Sequence, residues 1–290
     1  MKSGPKDLTF FIGLIFALLS LPISSNAQSP EQIERGKYIL HLGGCTSCHT
    51  DEKNKGSFLA GGYPLKTPFG TFYTPNITPD EKTGIGSWSV EQFITAMTRG
   101  KAQDDRHYFP AFPYTSYAKM TRQDIVDLKA YLDTVPPVAN SVQDHDLKFP
   151  FGFRFLAGIW KFLFFDTAPL ASHPEKSKLW NRGNYLVNGP GHCAECHTPR
   201  NLLGGLDEAK RLQGTKKGPS TDAAPSIDPT SGGLKNWSKS DLTFALQAGM
   251  VPKGDFLGGK MGKVVANTTS KMTDEDLSAI AEYLFSPNTP

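Results

Sequence analysis

Cys45-Thr46-Ser47-Cys48-His49 and Cys193-Ala194-Glu195-Cys196-His197 hold all four cysteines of the 290-residue chain, each pair followed at once by a histidine. C-x-x-C-H is the spacing for covalent attachment of c-type haem. Two thiols three positions apart on one helical turn can form thioethers with the two haem vinyl groups, and the next residue then presents its imidazole to the iron. The spacing therefore predicts two covalently bound c-type haems. Cys45, Cys48, Cys193 and Cys196 are the attachment points, and His49 and His197 the proximal iron ligands. Other uses of cysteine fit less well. A zinc ribbon needs its two pairs about 15 to 20 residues apart, whereas 145 positions separate Cys48 from Cys193. A redox dithiol or a structural disulfide leaves both histidines unexplained.

Outward from the motifs the chain repeats itself. Arg35-Gly36-Lys37-Tyr38 precedes the first motif and Arg182-Gly183-Asn184-Tyr185 the second. Tyr73 to Ile77 resembles Ala223 to Ile227, Trp88-Ser89 recurs as Trp237-Ser238, and Met120-Thr121 recurs as Met272-Thr273. Within each copy the pattern is helical. Ser89 and Ser238 stand as caps before apolar residues at helical spacing, and the runs opened by Thr121 and Thr273 each carry one apolar stripe. Strand signals are scarce, so the expected class is all-α with long Gly/Pro-rich loops.

Composition excludes much else. With 38% hydrophobic and 20% charged residues, 28 Gly and 22 Pro, the chain is neither collagen, coiled coil nor bulk disorder. A net charge of +3, with both signs interspersed, argues against nucleic acid as partner. Lys2 and Lys6, the apolar run Leu8 to Leu21 and the small residues Ser25 and Ala27 read as a secretory signal over 1–27. The expected domains are 28–135 and 179–290, joined by a linker over 136–178. Its aromatic run, Phe149 to Phe165, reads either as a segment buried between the domains or as a docking surface for a partner or membrane face, burial or partner docking being favoured.

Residues 70–80 (Gly-Thr-Phe-Tyr-Thr-Pro-Asn-Ile-Thr-Pro-Asp), 83–88, 110–117 (Pro-Ala-Phe-Pro-Tyr-Thr-Ser-Tyr) and 180–187 (Trp-Asn-Arg-Gly-Asn-Tyr-Leu-Val) resemble the cytochrome c subunits of bacterial membrane-bound alcohol, gluconate and related periplasmic dehydrogenases. The resemblance implies two tandem class I cytochrome c domains and a periplasmic electron relay. Electrons would pass from a dehydrogenase catalytic subunit to a downstream acceptor of the respiratory chain; peripheral membrane association through 149–165 is the less favoured reading of the aromatic run. Many members of that family carry three haem motifs; this chain has two. For the second iron Met250, Met261 and Met272 are candidates, and the family's distal ligand falls on Met261, in the Gly-rich loop that follows 257–260 ahead of the last helix. The 149-position step between the tryptophans carries Met261 back onto Phe112, which cannot ligate iron. His107, on the same loop, is the nearest substitute, with Met97, Met120 or no protein ligand as the other readings. An open first iron would suit a rival reading, a dihaem oxidoreductase acting directly on a small substrate. His41, His145, His173 and His192 have no positional argument toward either iron.

Overall fold

Two helix crossings organise the chain. The computed structural model describes residues 28–216, 223–230 and 232–286, with Met1 and Gly4. The leader expected over 1–27 otherwise lies outside the described residues. In chain order the elements are α1 (Pro30–Leu42), α2 (Cys45–His49), β1 (Pro64–Thr67), β2 (Gly70–Tyr73), α3 (Val90–Arg99), α4 (Tyr114–Tyr117), α5 (Arg122–Leu132), β3 (Asp146–Leu147), α6 (Arg154–Phe164), α7 (Lys178–Asn188), α8 (Ala194–His197), α9 (Lys239–Ala248), α10 (Gly259–Asn267) and α11 (Asp274–Phe285).

Helix α1 packs on α5, and α7 on α11. Each crossing is set by one glycine. A Cβ at Gly36 would stand 2.8 Å from the Tyr131 Cβ and closer still to the Asp127 carbonyl. At Gly183 the same atom would stand 2.7 Å from the Tyr283 Cβ and closer still to the Ala279 carbonyl. Only a hydrogen fits, so the backbones touch. Around the crossings Ile39, Leu40, Ile125 and Leu128, and Leu186, Val187, Leu277 and Ile280, are buried in one apolar cluster.

The helix boundaries follow local chemistry. Ser89 and Gln92 form a capping box on α3, and Ser238 and Asp241 form another on α9. Thr121 and Thr273 cap α5 and α11 through the Asp124 and Asp276 N–H groups. Each cap stabilises its helix by about 1 kcal/mol. One feature departs from the expected all-α pattern. A small antiparallel sheet, order β1-β2-β3, pairs Pro64 with Tyr73 and Leu65 with Phe72. Its strands are at most four residues long, too short for a period of two to register.

The aromatic run is not buried between the halves, against the burial reading and in keeping with a docking surface. Phe149, Phe155 and Phe162 are 86, 62 and 90% exposed, beside Leu202 at 98%. Its two cations turn inward instead. Lys161 donates to the Arg99 carbonyl (2.8 Å) and to that of Gly100 at the C-terminus of α3. Arg154 donates to the His107 carbonyl (3.3 Å) and lies over the Phe109 ring. No helix among the described residues is long and apolar enough to cross a membrane.

Gly36→Ala and Gly183→Ala are each expected to lower unfolding stability by about 2 to 3 kcal/mol, as overpacking a tight contact does. Gly152→Ala, with nothing near its Cβ, should change little. Equal denaturant midpoints for the three variants would contradict the crossing argument. A second expectation concerns Lys161. Burial, then the Lys101 charge, pull its ammonium down to about 8. The unfolded chain, with a lysine near 10.4, holds that proton more tightly, so this group's contribution to stability rises as pH climbs from about 8 to 10.4. Lys161→Met should flatten that rise in urea unfolding at pH 8, 9 and 10. An unchanged slope would refute it.

Candidate functional site

Helix α1 stops at Gly43, and Gly44, at φ 61°, turns the chain into the single turn α2. In the second copy His192 makes the left-handed turn at φ 39°, an uncommon conformation for a non-glycine residue. On both turns the paired cysteines are three positions apart and face the same side. Thr50 and Thr198 then close the turns, their hydroxyl oxygens accepting from the Leu59 and Leu212 N–H groups at 3.0 Å.

His49 Nδ1 lies 2.7 Å from the Pro75 carbonyl, and His197 Nδ1 lies 2.8 Å from that of Pro225. A carbonyl only accepts, so each Nδ1 carries the proton and donates. That fixes the tautomer and leaves each Nε2 as a lone pair, with no protein partner among the described residues. Burial lowers both imidazoles below their ordinary value, which favours the neutral form a ligand needs. It also pushes Cys45 and Cys193 up to about 12, so both are thiols at neutral pH.

One glycine completes each cradle. Gly61 N donates to the His49 carbonyl at 2.8 Å and Gly214 N to the His197 carbonyl at 2.7 Å. Their φ values are 77° and 80°, and a Cβ would stand 2.6 Å from Asn76 N in one case and 2.5 Å from Ser226 N in the other. The strand bearing the proline carbonyl can pass only over glycine. Neither glycine was among the residues expected at the site, although Leu59-Ala60-Gly61 and Leu212-Gln213-Gly214 repeat as the motifs do. Two thiols, one imidazole lone pair and a backbone cradle, twice over, fit a covalently held haem. Among the described residues no three His, Cys, Asp or Glu side chains converge as they would on a bare metal ion.

The two motifs face each other across one interface. The Gly43 carbonyl, two residues before Cys45, accepts from Tyr117 OH at 2.8 Å and faces His192 Nε2 at 3.3 Å. The Tyr117 and His192 rings meet edge to face at 5.7 Å. Burial, then the nearby Cys196, raise the Cys48 thiol. Asn267 donates to Ser47 Oγ at 3.1 Å, and Thr115 donates to Glu195 Oε1 at 2.7 Å, with Arg200 on the other carboxylate oxygen. Farther out, Tyr38 OH donates to Asp276 at 2.7 Å and accepts from Thr273 N at 3.1 Å. Tyr185 OH mirrors this, donating to Asp124 and accepting from Thr121 N at 3.2 Å.

The other expected residues lie on other segments of the chain. Met261 stands in the first turn of α10, partly buried against the apolar cluster, and not in a loop. Gly258 and Gly259 start that helix. Met97, Met120 and Met272 are buried in the same cluster. His107 is turned toward α6, where a Cβ at Gly158 would stand 2.9 Å from its Nε2. His145 takes the Tyr73 N–H on Nδ1 at 3.2 Å, and His173 pairs with Glu175 at 3.0 Å.

Residues 33–136 match the profile of the Cytochrome c family. A diheme cytochrome c-type protein of Cereibacter sphaeroides is 41% identical over 287 residues, which cover 96% of this chain and 94% of that protein. The cytochrome c subunit of alcohol dehydrogenase (quinone) from Komagataeibacter europaeus is 39% identical over 276 residues, 89% of this chain and 57% of the subunit. The gluconate 2-dehydrogenase cytochrome c subunit of Pantoea cypripedii is 35% identical over 284 residues, 94% of this chain and 64% of the subunit. The chain therefore spans about three fifths of the length of these two dehydrogenase subunits.

Proposed function

The chain belongs to the cytochrome c family and carries covalently bound c-type haems, and from that premise we propose that it is a periplasmic dihaem relay between a dehydrogenase catalytic subunit and the respiratory chain. The observation that carries this reading is the shared Gly43 carbonyl, which brings the two C-x-x-C-H turns to one interface. Two class I cytochrome c domains, 28–135 and 179–290, lie on either side of it. Cys45 and Cys48 would hold the first haem and Cys193 and Cys196 the second, with His49 and His197 as iron ligands and Met261 as a further ligand to the second. The likeness to dehydrogenase cytochrome subunits supports a catalytic dehydrogenase as electron donor. It lends nothing to an enzyme acting on its own substrate.

When bound, haem supplies an iron that takes up and returns one electron. The chain's own residues set the conditions for this. The Pro75 and Pro225 carbonyls hold His49 and His197 in one tautomer and make each ring a better donor. The apolar cluster excludes water and so limits the reorganisation that would slow electron exchange. Tyr38 and Tyr185, each bonded to a helix start in the opposite half, hold the two attachment turns at a fixed separation.

The exposed face of α6 is the contact with a lipid surface. Its outward side chains between 149 and 163 are all apolar, with Arg154 and Lys161 engaged inside the protein. Protein docking faces carry a polar rim and hydrogen bonds, whereas a bilayer interface requires neither.

Two measurements test this function. Disrupting the gene should stop oxygen uptake driven by the partner dehydrogenase's substrate while leaving that enzyme's dye-linked activity intact; unimpaired respiration would overturn the relay. The haem-loaded protein should co-sediment with phosphatidylcholine vesicles, and the double variant Phe155→Ser/Phe162→Ser should lose at least about tenfold in partition, given the apolar area removed from lipid. Equal partition would remove the membrane contact.

A further inference from the structure

We infer that the first haem iron has no protein ligand on its distal side and that this position takes a small neutral diatomic molecule. The inference rests on the dihaem reading above. The two halves run in register at a 149-position step from Gly100 to Tyr108, and the step has widened to 152 by Met120 and Met272. After α3 and α9 the chain turns at Gly100 and Gly249, both left-handed, at φ 56° and 75°. Lys101 then bridges to His107 as Met250 bridges to Phe256. Tyr108 N donates to the Gly100 carbonyl at 2.8 Å, as Leu257 N does to that of Gly249 at 2.7 Å. The same 149-position step places Phe112 where the second half has Met261.

Each alternative ligand is engaged elsewhere. His107 is the counterpart of Phe256, not of Met261. Its Nε2 edge abuts Gly158 of α6, and its Nδ1 is buried without a polar partner. Met97 corresponds to Leu246, and both fill the apolar cluster. Met120 corresponds to Met272, each buried just ahead of the cap of the following helix. The second half keeps Met272 in that role while also having Met261, so the Met120 position is a packing position in both.

What surrounds Phe112 is aromatic. Tyr108, Tyr114 and Tyr117 meet its ring edge-on at 5.8, 6.2 and 5.7 Å. Tyr117 OH is committed to the Gly43 carbonyl, and Tyr108 is kept protonated by burial, which pushes it up to about 12. Burial raises the Tyr114 hydroxyl likewise, so none of the three is the phenolate that iron ligation by tyrosine requires. Surroundings of this kind penalise a charged ligand and admit a neutral one.

The test is the stoichiometry of carbon monoxide binding to the dithionite-reduced, haem-loaded protein, with haem counted by pyridine haemochrome. Two haems and one carbon monoxide per chain are expected, with a high-spin ferric resonance from half of the iron before reduction. Phe112→Met should bring binding to zero, Met261→Phe should raise it to two, and His107→Ala should leave it at one. Two haems with no carbon monoxide bound and only low-spin iron in the unmodified protein would overturn the inference while leaving the relay intact. Fewer than two haems per chain would instead overturn the dihaem reading. Should either Phe112→Met or Met261→Phe fail to fold, the unmodified protein and His107→Ala still decide the question.

Discussion

The contact on which the rest depends is backbone against backbone, at Gly36 on α5 and at Gly183 on α11. Because no side chain separates the helices, the residues on either side of each glycine are held at fixed reach. Arg35 extends to Asp127 at 2.9 Å, and Arg182 forks onto Asp276 at 2.8 and 2.7 Å. Tyrosine two positions after each glycine then passes beyond its own helix pair to the capped start of the other pair. Each C-x-x-C-H turn follows its crossing by fewer than a dozen residues. The crossings therefore determine how the turns face each other, and the relay inherits its geometry from two hydrogen atoms that replace methyl groups.

The interface is two-fold in outline and uneven in chemistry. Ser47 within the first motif takes a neutral hydrogen bond from Asn267, whereas Glu195 within the second is a buried carboxylate shared among Arg200, Thr115 and Ser116. A carboxylate stabilises the oxidised, more positive state of a nearby iron, and its arginine offsets that effect. The left-handed turn is uneven too, falling to Gly44 in one copy and to His192 in the other. The imidazole at that turn fills the junction that a second glycine would leave open, against Tyr117 and the Gly43 carbonyl.

What the sequence made legible was whatever depends on near neighbours. The attachment motifs, the Ser and Thr caps and the apolar stripes are each written within about a dozen residues, and the structure has helices at those places. The exposure of Phe149 to Phe164 was not legible, because an apolar run reads the same whether it faces a core or solvent, and only the inward direction of Arg154 and Lys161 settles it. Gly61 and Gly214 were legible in principle, since they repeat in step, but their function depends on a proline carbonyl passing over them from more than ten residues away. Met261 was read as a loop residue because glycines flank it, and in the structure those glycines begin a helix. The hairpin of β1 and β2 turns on four residues with a Thr67 to Gly70 hydrogen bond, too short for any periodic signal.

Helix α6 explains why the halves diverge where a distal ligand would come from. In the first half α6 returns over the segment 100–112 and fastens it at three places. Lys161 sits on the carbonyls that end α3, where a cation meets the negative end of the helix. Arg154 holds the His107 carbonyl, and Gly158 makes room for the His107 ring. In the second half the corresponding segment runs into α10, which packs instead on α9 and on the first attachment turn. A helix that buries its charges and shows its aromatic residues thus does two things at once. Outward it supplies the apolar face; inward it holds the loop whose Phe112 stands in the place of a methionine. Displacement of α6 would reach the segment 100–112 through three named contacts.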